Sequence, residues 1–187
     1  MALLLEIIAV ILGIVYVILA ARNNNWCWIF GIFGSALSIY LFIVYAKLYG
    51  EAVLNLFYVI AGIYGWITWK NQVEHQEVYT YPVKAHLFIL LGGILLSLAM
   101  YLVINHFFKA SQKPLIDSFT AIFSFIATYL TAKKWLSNWL YWVIIDLVST
   151  YLYFIRGLEI YAILMFSYSF IAIYGYLQWK KLRVVQL

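Results

Sequence analysis

Charge is what this chain has least of. Only 10% of its 187 residues are Asp, Glu, Lys or Arg, 67% are apolar and the mean hydropathy is +0.95. A soluble domain carries about 25% charged residues, so the ordinary globular classes are excluded and a polytopic membrane protein is left. Cysteine occurs once, at Cys27, which allows no internal disulfide and no multi-cysteine metal site; the residue reads as packing. The two prolines, Pro82 and Pro114, fall at span boundaries, with Pro82 read as helix-ending. The phosphate-cradling GxxxxGK[ST], HExxH and GxSxG patterns are all missing, and no two acids have hydrolase spacing. There is thus no nucleotide site to couple ATP hydrolysis to movement of a solute, and no cofactor is expected. His75, His86 and His106 sit at loop or span edges without metal-ligand spacing. The net charge of +5 is scattered over short loops and ends rather than gathered in a stripe, which argues against a nucleic-acid partner. Met1 to Ala21 lacks the basic start of a cleavable signal and reads as the first span.

What is abundant is aromatic: 20% of the chain, with 17 Tyr and 8 Trp. An interfacial belt accounts for part of this, but not for tyrosines and tryptophans in mid-span. Seven stretches of bilayer-crossing length fit the sequence: Leu3 to Ala21, Trp26 to Tyr45, Ala52 to Trp69, His86 to Ile104, Leu115 to Thr131, Trp139 to Ile155 and Glu159 to Trp179. The segment from Leu48 to Lys70 returns as Leu158 to Lys180, with Leu54/Leu164, Tyr58/Tyr168, Tyr64/Tyr174, Gly65/Gly175, Trp69/Trp179 and Lys70/Lys180 in register. Glu6 and Asp117, Arg22 and Lys133, Trp28 and Trp139, and Ser35 and Asp146 extend the match to three spans on each side. The reading is an all-α, seven-helix membrane protein in a 3+1+3 layout: residues 1–70 a first three-helix repeat, 71–114 a polar loop and linking span, 115–187 a second repeat with a cytoplasmic tail. One span between the copies makes the repeat parallel, about an axis along the membrane normal. Lys and Arg are denser on the side of Arg22, Lys70, Lys84, Lys133, Lys134, Lys180, Lys181 and Arg183 than on that of Lys47, Lys109, Lys113 and Arg156. That places the N-terminus outside and the C-terminus in the cytoplasm.

Asn55, Tyr58, Gly62, Trp66 and Trp69 recur three or four residues apart and share one face of a helix; Trp139, Trp142, Asp146, Ser149 and Tyr153 do the same in span six. A carboxylate in mid-span costs at least about 2.5 kcal/mol unless it meets a partner or a wet cavity, so Asp146 is the strongest single signal. Asn55 suits either an interhelical bond or an amide reading a polar ligand. Trp69 and Trp179, at span ends, suit a belt; Trp66 and Trp142 do not. Glu6, Asp117, Gly31, Ser35 and Ser38 read as architectural. Together the faces suit a flat, ring-containing, cationic and hydroxylated small molecule, its rings on Trp and Tyr, its charge met by π-faces and Asp146.

LYGEAVLNLFYVIAGIYGWITW, NWLYWVIIDLVSTYLYF and IYGYLQWKK resemble the PnuC-type vitamin transporters, best known for nicotinamide riboside, and the likeness covers nearly all of the chain. It implies two fused half-SWEET-like bundles in the bacterial cytoplasmic membrane, assembled as a homotrimer. It also implies facilitated diffusion of an unphosphorylated vitamin that a cytoplasmic kinase then traps. The substrate contacts it implies are Asn55, Tyr58, Trp66, Trp142 and Asp146, to which Trp69, Trp139 and Tyr168 are added from the aligned helices. Family members for nicotinamide riboside commonly have glutamine where Asn55 stands, and thiamine-transporting relatives share the scaffold, so both vitamins stay open. Two other classes compete: a membrane-embedded enzyme using Asp146 with Glu6 or Asp117, and a structural or sensory membrane subunit.

Overall fold

The computed structural model describes residues 2–46, 49–70, 77–107, 113–182 and 184–186. Within them lie seven helices: α1 (Ala2–Ala21), α2 (Cys27–Leu41), α3 (Tyr49–Lys70), α4 (Val83–Phe107), α5 (Pro114–Ala132), α6 (Asn138–Ile155) and α7 (Glu159–Trp179). Each is, with its immediate flanks, long and apolar enough to cross a bilayer, and α2 runs on through a π-helical turn over Phe42–Ala46. The seven expected spans are therefore all present, displaced by only a few residues at their ends.

Two short strands, β1 (Val78–Thr80) and β2 (Val184–Gln186), correct the all-helical expectation. They pair in parallel, Val78 against Val184, and Tyr79 also bonds the α5–α6 turn through Tyr79 N–H to the Lys134 carbonyl and Leu136 N–H to the Tyr79 carbonyl. The segment read as a loop and the segment read as a tail are thus stitched together. Pro82 precedes α4 and its carbonyl accepts the Ala85 N–H, so it starts a helix rather than ending one. Lys47, Leu48, Glu74, His75, Lys109 and Arg183 lie outside the described residues.

Helices α1, α2 and α3 pack in succession, as do α5, α6 and α7, and the two groups meet where α3 touches α5 and α7 touches α1. The last turns of α1, α3, α5 and α7 converge on one end, where Trp69 Nε1 donates to the Ala132 carbonyl at 3.1 Å and Trp179 Nε1 to the Ala20 carbonyl at 3.0 Å. Helix α4 lies against α5, its Gly93 pressed on the Phe123 ring and Ser97 turned inward, while Phe88, Leu95 and Leu102 stand outward to meet lipid.

Helix ends explain the sharp turns. At Asn23, Lys134 and Gly157 the backbone is left-handed, with φ of 53°, 55° and 71°. Each is flanked by the paired hydrogen bonds that close a helix C-terminus: Asn24 N–H to Leu19 O, Trp135 N–H to Leu130 O and Leu158 N–H to Tyr153 O are the outer ones. Glycine takes this conformation freely and asparagine readily; a lysine there is uncommon.

The glycines of the recurring Tyr-Gly motif have a packing reason. An added Cβ at Gly65 would run into the Trp28 ring, and one at Gly175 would stand 2.7 Å from the Trp139 ring. Trp28 and Trp139 are 1% and 2% exposed, so neither ring has room to retreat. Gly65→Ala and Gly175→Ala should each lower the melting temperature of the purified protein. Overpacking costs about 1–3 kcal/mol and outweighs the helix propensity gained, about 1 kcal/mol. Gly92→Ala, with nothing within 4 Å of the new methyl, should leave the temperature unchanged or raise it.

Candidate functional site

A cavity of about 1020 Å³ lies inside the bundle, and all seven helices contribute to its wall. Of the residues singled out from sequence, Asn55, Tyr58, Trp139, Trp142, Asp146 and Tyr168 line it. Trp66 and Trp69 do not. Trp66 packs edge-on against Trp26, at 5.6 Å. Trp69 is 1% exposed and Trp179 0%, which corrects the belt reading for both: they are core residues that join helix ends.

The floor of the cavity is a row of four indoles. Trp28 meets Trp69 edge to face at 5.4 Å, Trp69 meets Trp179 at 5.7 Å, and Trp179 meets Trp139 edge to face at 5.4 Å. Each such pair contributes about 0.5–1.5 kcal/mol beyond the area it buries. Trp28 and Trp139 present themselves to the cavity from either side of this row. Their own N–H groups are buried and have no hydrogen-bond partner among the described residues.

The walls are polar at chosen points. Asp146 on α6 is 6% exposed, lines the cavity, and its carboxylate has no hydrogen-bond partner among the described residues; only its backbone carbonyl is engaged, by Thr150 Oγ1 at 2.7 Å. Asn55 Nδ2 donates to the Glu51 carbonyl at 2.9 Å, which leaves its amide oxygen to the cavity. Trp142 is fixed in orientation by donating from Nε1 to Thr131 Oγ1 at 3.3 Å, and Thr131 is held in turn by the Ala127 carbonyl and Asn138. Tyr58 of α3 and Ser124 of α5 line the cavity, on helices that touch each other.

Sequence reasoning missed several wall residues. Tyr16, the one aromatic of α1, stacks obliquely on Trp28 at 5.8 Å and overlies Gly31; a lone phenol in an otherwise aliphatic helix was the available signal. Gly31, Ser35, Ser38 and Asp117, read as architectural, also line the cavity. At the end away from the tryptophans, Arg156 Nη2 contacts both Asp117 carboxylate oxygens, at 3.0 and 2.8 Å, and Tyr161 donates to Glu6 at 2.9 Å. The wall carries three carboxylates, those of Glu51, Asp117 and Asp146, and no lysine or arginine. No group of His, Cys, Asp and Glu among the described residues could hold a metal ion.

Behind the floor, Lys134 is 3% exposed and its Nζ stands 4.9 Å from the Trp69 ring centroid. Burial pushes its amine down to about 8, against a smaller opposing effect of the Cys27 thiol. Between that pH and the ordinary lysine range, the unfolded chain holds a proton that the folded one has released, so stability rises with pH there. The melting temperature of the wild type should climb between pH 8 and 10 relative to Lys134→Asn, which keeps the left-handed turn and removes the charge; parallel profiles would rule this out.

The family model described as nicotinamide mononucleotide transporter matches residues 3–181. The chain is 25% identical over 203 aligned residues to the nicotinamide riboside transporter PnuC of Escherichia coli (strain K12), covering 94% of this chain and 84% of that one. It is 22% identical over 179 residues to the riboflavin/roseoflavin transporter RibM of Streptomyces davaonensis, covering 93% and 83%. The crystal structure of the vitamin B3 transporter PnuC superposes with a TM-score of 0.74 at 23% identity, over 95% of this chain and 80% of that one. These relatives are named as transporters, not enzymes.

Proposed function

The chain belongs to the nicotinamide mononucleotide transporter family, and from that premise we propose that it carries an unphosphorylated vitamin, nicotinamide riboside, across the bacterial cytoplasmic membrane. The observation that carries the reading is the charge of the cavity wall: the carboxylates of Glu51 and Asp146, a third at Asp117 that is paired with Arg156, and no lysine or arginine among the lining residues. A pyridinium cation is attracted there, whereas a phosphomonoester dianion is repelled and finds no guanidinium or ammonium among the lining residues, Arg156 being engaged by Asp117. The family's description names the mononucleotide; the wall chemistry favours the riboside. Asp146, Trp142 and Tyr168 meet the ring and its charge, Asn55 and Tyr58 the sugar, and Trp139 closes the floor.

Movement is by facilitated diffusion, with a cytoplasmic kinase trapping the solute, as the resemblance to the PnuC-type transporters implies; the sequence carries no GxxxxGK[ST] pattern for direct coupling to ATP hydrolysis. The layout behind it is the 3+1+3 parallel repeat. Reciprocal Trp69–Ala132 and Trp179–Ala20 bonds support it, as do left-handed turns at the aligned residues Asn23 and Lys134. The lysine- and arginine-rich tryptophan end faces the cytoplasm, the N-terminus lies outside, and the molecule works as a homotrimer.

A cavity of about 1020 Å³ also has room for a tricyclic flavin, and the likeness to the riboflavin transporter makes riboflavin the second reading. Thiamine, a flat cation, is the third. Uptake of radiolabelled nicotinamide riboside into proteoliposomes separates them. Excess unlabelled riboside should abolish it, the mononucleotide should not compete, and accumulation without an internal kinase should stop at equal concentrations. Asp146→Asn should weaken uptake about tenfold or more, the scale of a lost charged hydrogen bond. Competition by riboflavin or thiamine but not by the riboside would overturn the assignment.

A further inference from the structure

The cavity is not closed evenly at the end away from the tryptophans. On α3, Glu51, Val53 and Leu54 line it. In the register that aligns Tyr58 with Tyr168, their counterparts on α7 are Tyr161, Ile163 and Leu164, and none of these lines it. On α6, Leu152 and Tyr153 line it, while their counterparts on α2, Leu41 and Phe42, do not. The opening is therefore off-centre, over α3, α5 and α6. The side chains explain why. At the seam of α1 and α7, the Tyr161 hydroxyl donates to Glu6 at 2.9 Å. The same alignment puts Glu51 in the place of Tyr161 and Asp117 in the place of Glu6. Ionised carboxylates only accept hydrogen bonds, and like charges repel, so the seam of α3 and α5 cannot form that latch. Asp117 is taken instead by Arg156 of its own three-helix group, at 2.8 Å. The seam is held further in, where the Phe57 and Phe125 ring centroids lie 4.2 Å apart.

We infer that the solute enters through this off-centre mouth and that Glu51, at its rim, draws a cation in and sets how fast it enters. The inference rests on the carrier reading above and adds to it an entry route and a residue that acts before the solute is seated. Asp117 and Arg156 cancel as a pair. Glu51 is exposed and in no ion pair among the described residues, so it supplies the net charge of the lining at this rim. A charge at an opening with low-dielectric walls raises the local concentration of the opposite sign. Its reach is about 30 Å in 0.01 M salt and about 3 Å in 1 M. A rim charge of this kind governs the rate of arrival and its salt dependence, whereas the groups that meet the seated solute lie deeper, from Asn55 inward.

Initial uptake of radiolabelled nicotinamide riboside into proteoliposomes, from dilute to saturating solute, tests the part of Glu51. Glu51→Gln should lower kcat/KM about fivefold in about 0.01 M salt and less than about twofold in about 0.5 M, with kcat unchanged. The control is Glu6→Gln, which removes the same charge at the latched seam yet keeps an acceptor for Tyr161; its kcat/KM should stay within about twofold of wild type in both salts. Equal losses for the two variants, or a loss at Glu51→Gln that salt does not reduce, would overturn the inference. A second arm needs no solute. In a Cys27→Ala background, a membrane-impermeant thiol reagent should label Leu54→Cys, on the cavity wall, and spare Leu164→Cys, the same residue type at the aligned position off it. Equal labelling would remove the off-centre mouth whatever vitamin is carried. A wild type that takes up no nicotinamide riboside, with the labelling as expected, would contradict the vitamin assigned above and the part of Glu51 with it, and leave the mouth standing.

Discussion

Everything in this molecule hangs from the row of four indoles at one end of the bundle. Trp69 and Trp179 leave their own helices to bond backbone carbonyls at the ends of α5 and α1, and Trp28 and Trp139 flank them edge to face. A carbonyl in the last turn of a helix has no intrahelical donor, and in a bilayer it finds little water. The Trp69 indole N–H supplies a donor to Ala132, the Trp179 indole joins the Asn23 N–H on the Ala20 carbonyl, and each ties one three-helix group to the other. Gly65 and Gly175 make this possible by letting the backbones of α3 and α7 approach the Trp28 and Trp139 rings. With that end closed, the helices can diverge above it, and the space between them is the cavity.

The second constraint is that polar side chains in a membrane must be answered. Many are answered by their own helix: Ser38, Ser97, Ser118, Thr128, Thr131, Thr150 and Ser167 each donate to the carbonyl four residues back. Their presence in mid-span therefore demands no ligand. Asp146 and Tyr168 differ, because their polar atoms have no such local partner and line the cavity. The contrast separates hydroxyls that the helices have satisfied from groups that await a solute.

How much of this was legible in the sequence follows from what helical spacing can and cannot say. Spacing showed that Asn55 and Tyr58 share a face, as do Trp142 and Asp146, and hydropathy showed that such a face cannot meet lipid; all four line the cavity. It could not show where a face stops facing inward. Trp66 and Trp69 continue the stripe of Asn55 and Tyr58 but lie beyond the floor, so period alone overextended the site. The matched Tyr-Gly and Trp-Lys endings pointed to a shared role, and the reason, a ring seated on each glycine, needed the partner helices. Tyr16 went unread because its significance lies in contacts with Trp28 and Gly31 of the neighbouring helix, which spacing within one helix does not show. The pairing of Val78–Thr80 with Val184–Gln186 is of the same kind: three-residue strands carry too little pattern to stand out from a polar loop.

The central claim is a water-accessible chamber within the bilayer, walled by α6 on the side of Asp146. It is tested most directly by thiol labelling in membranes, in a Cys27→Ala background, with a membrane-impermeant reagent. A cysteine replacing Ser149, on the cavity wall, should be labelled, and nicotinamide riboside should slow the reaction. A cysteine replacing Ile144, on the outward face of the same helix and 53% exposed to lipid, should not react. If Ser149→Cys stayed as inert as Ile144→Cys, with or without the vitamin, the chamber would not exist.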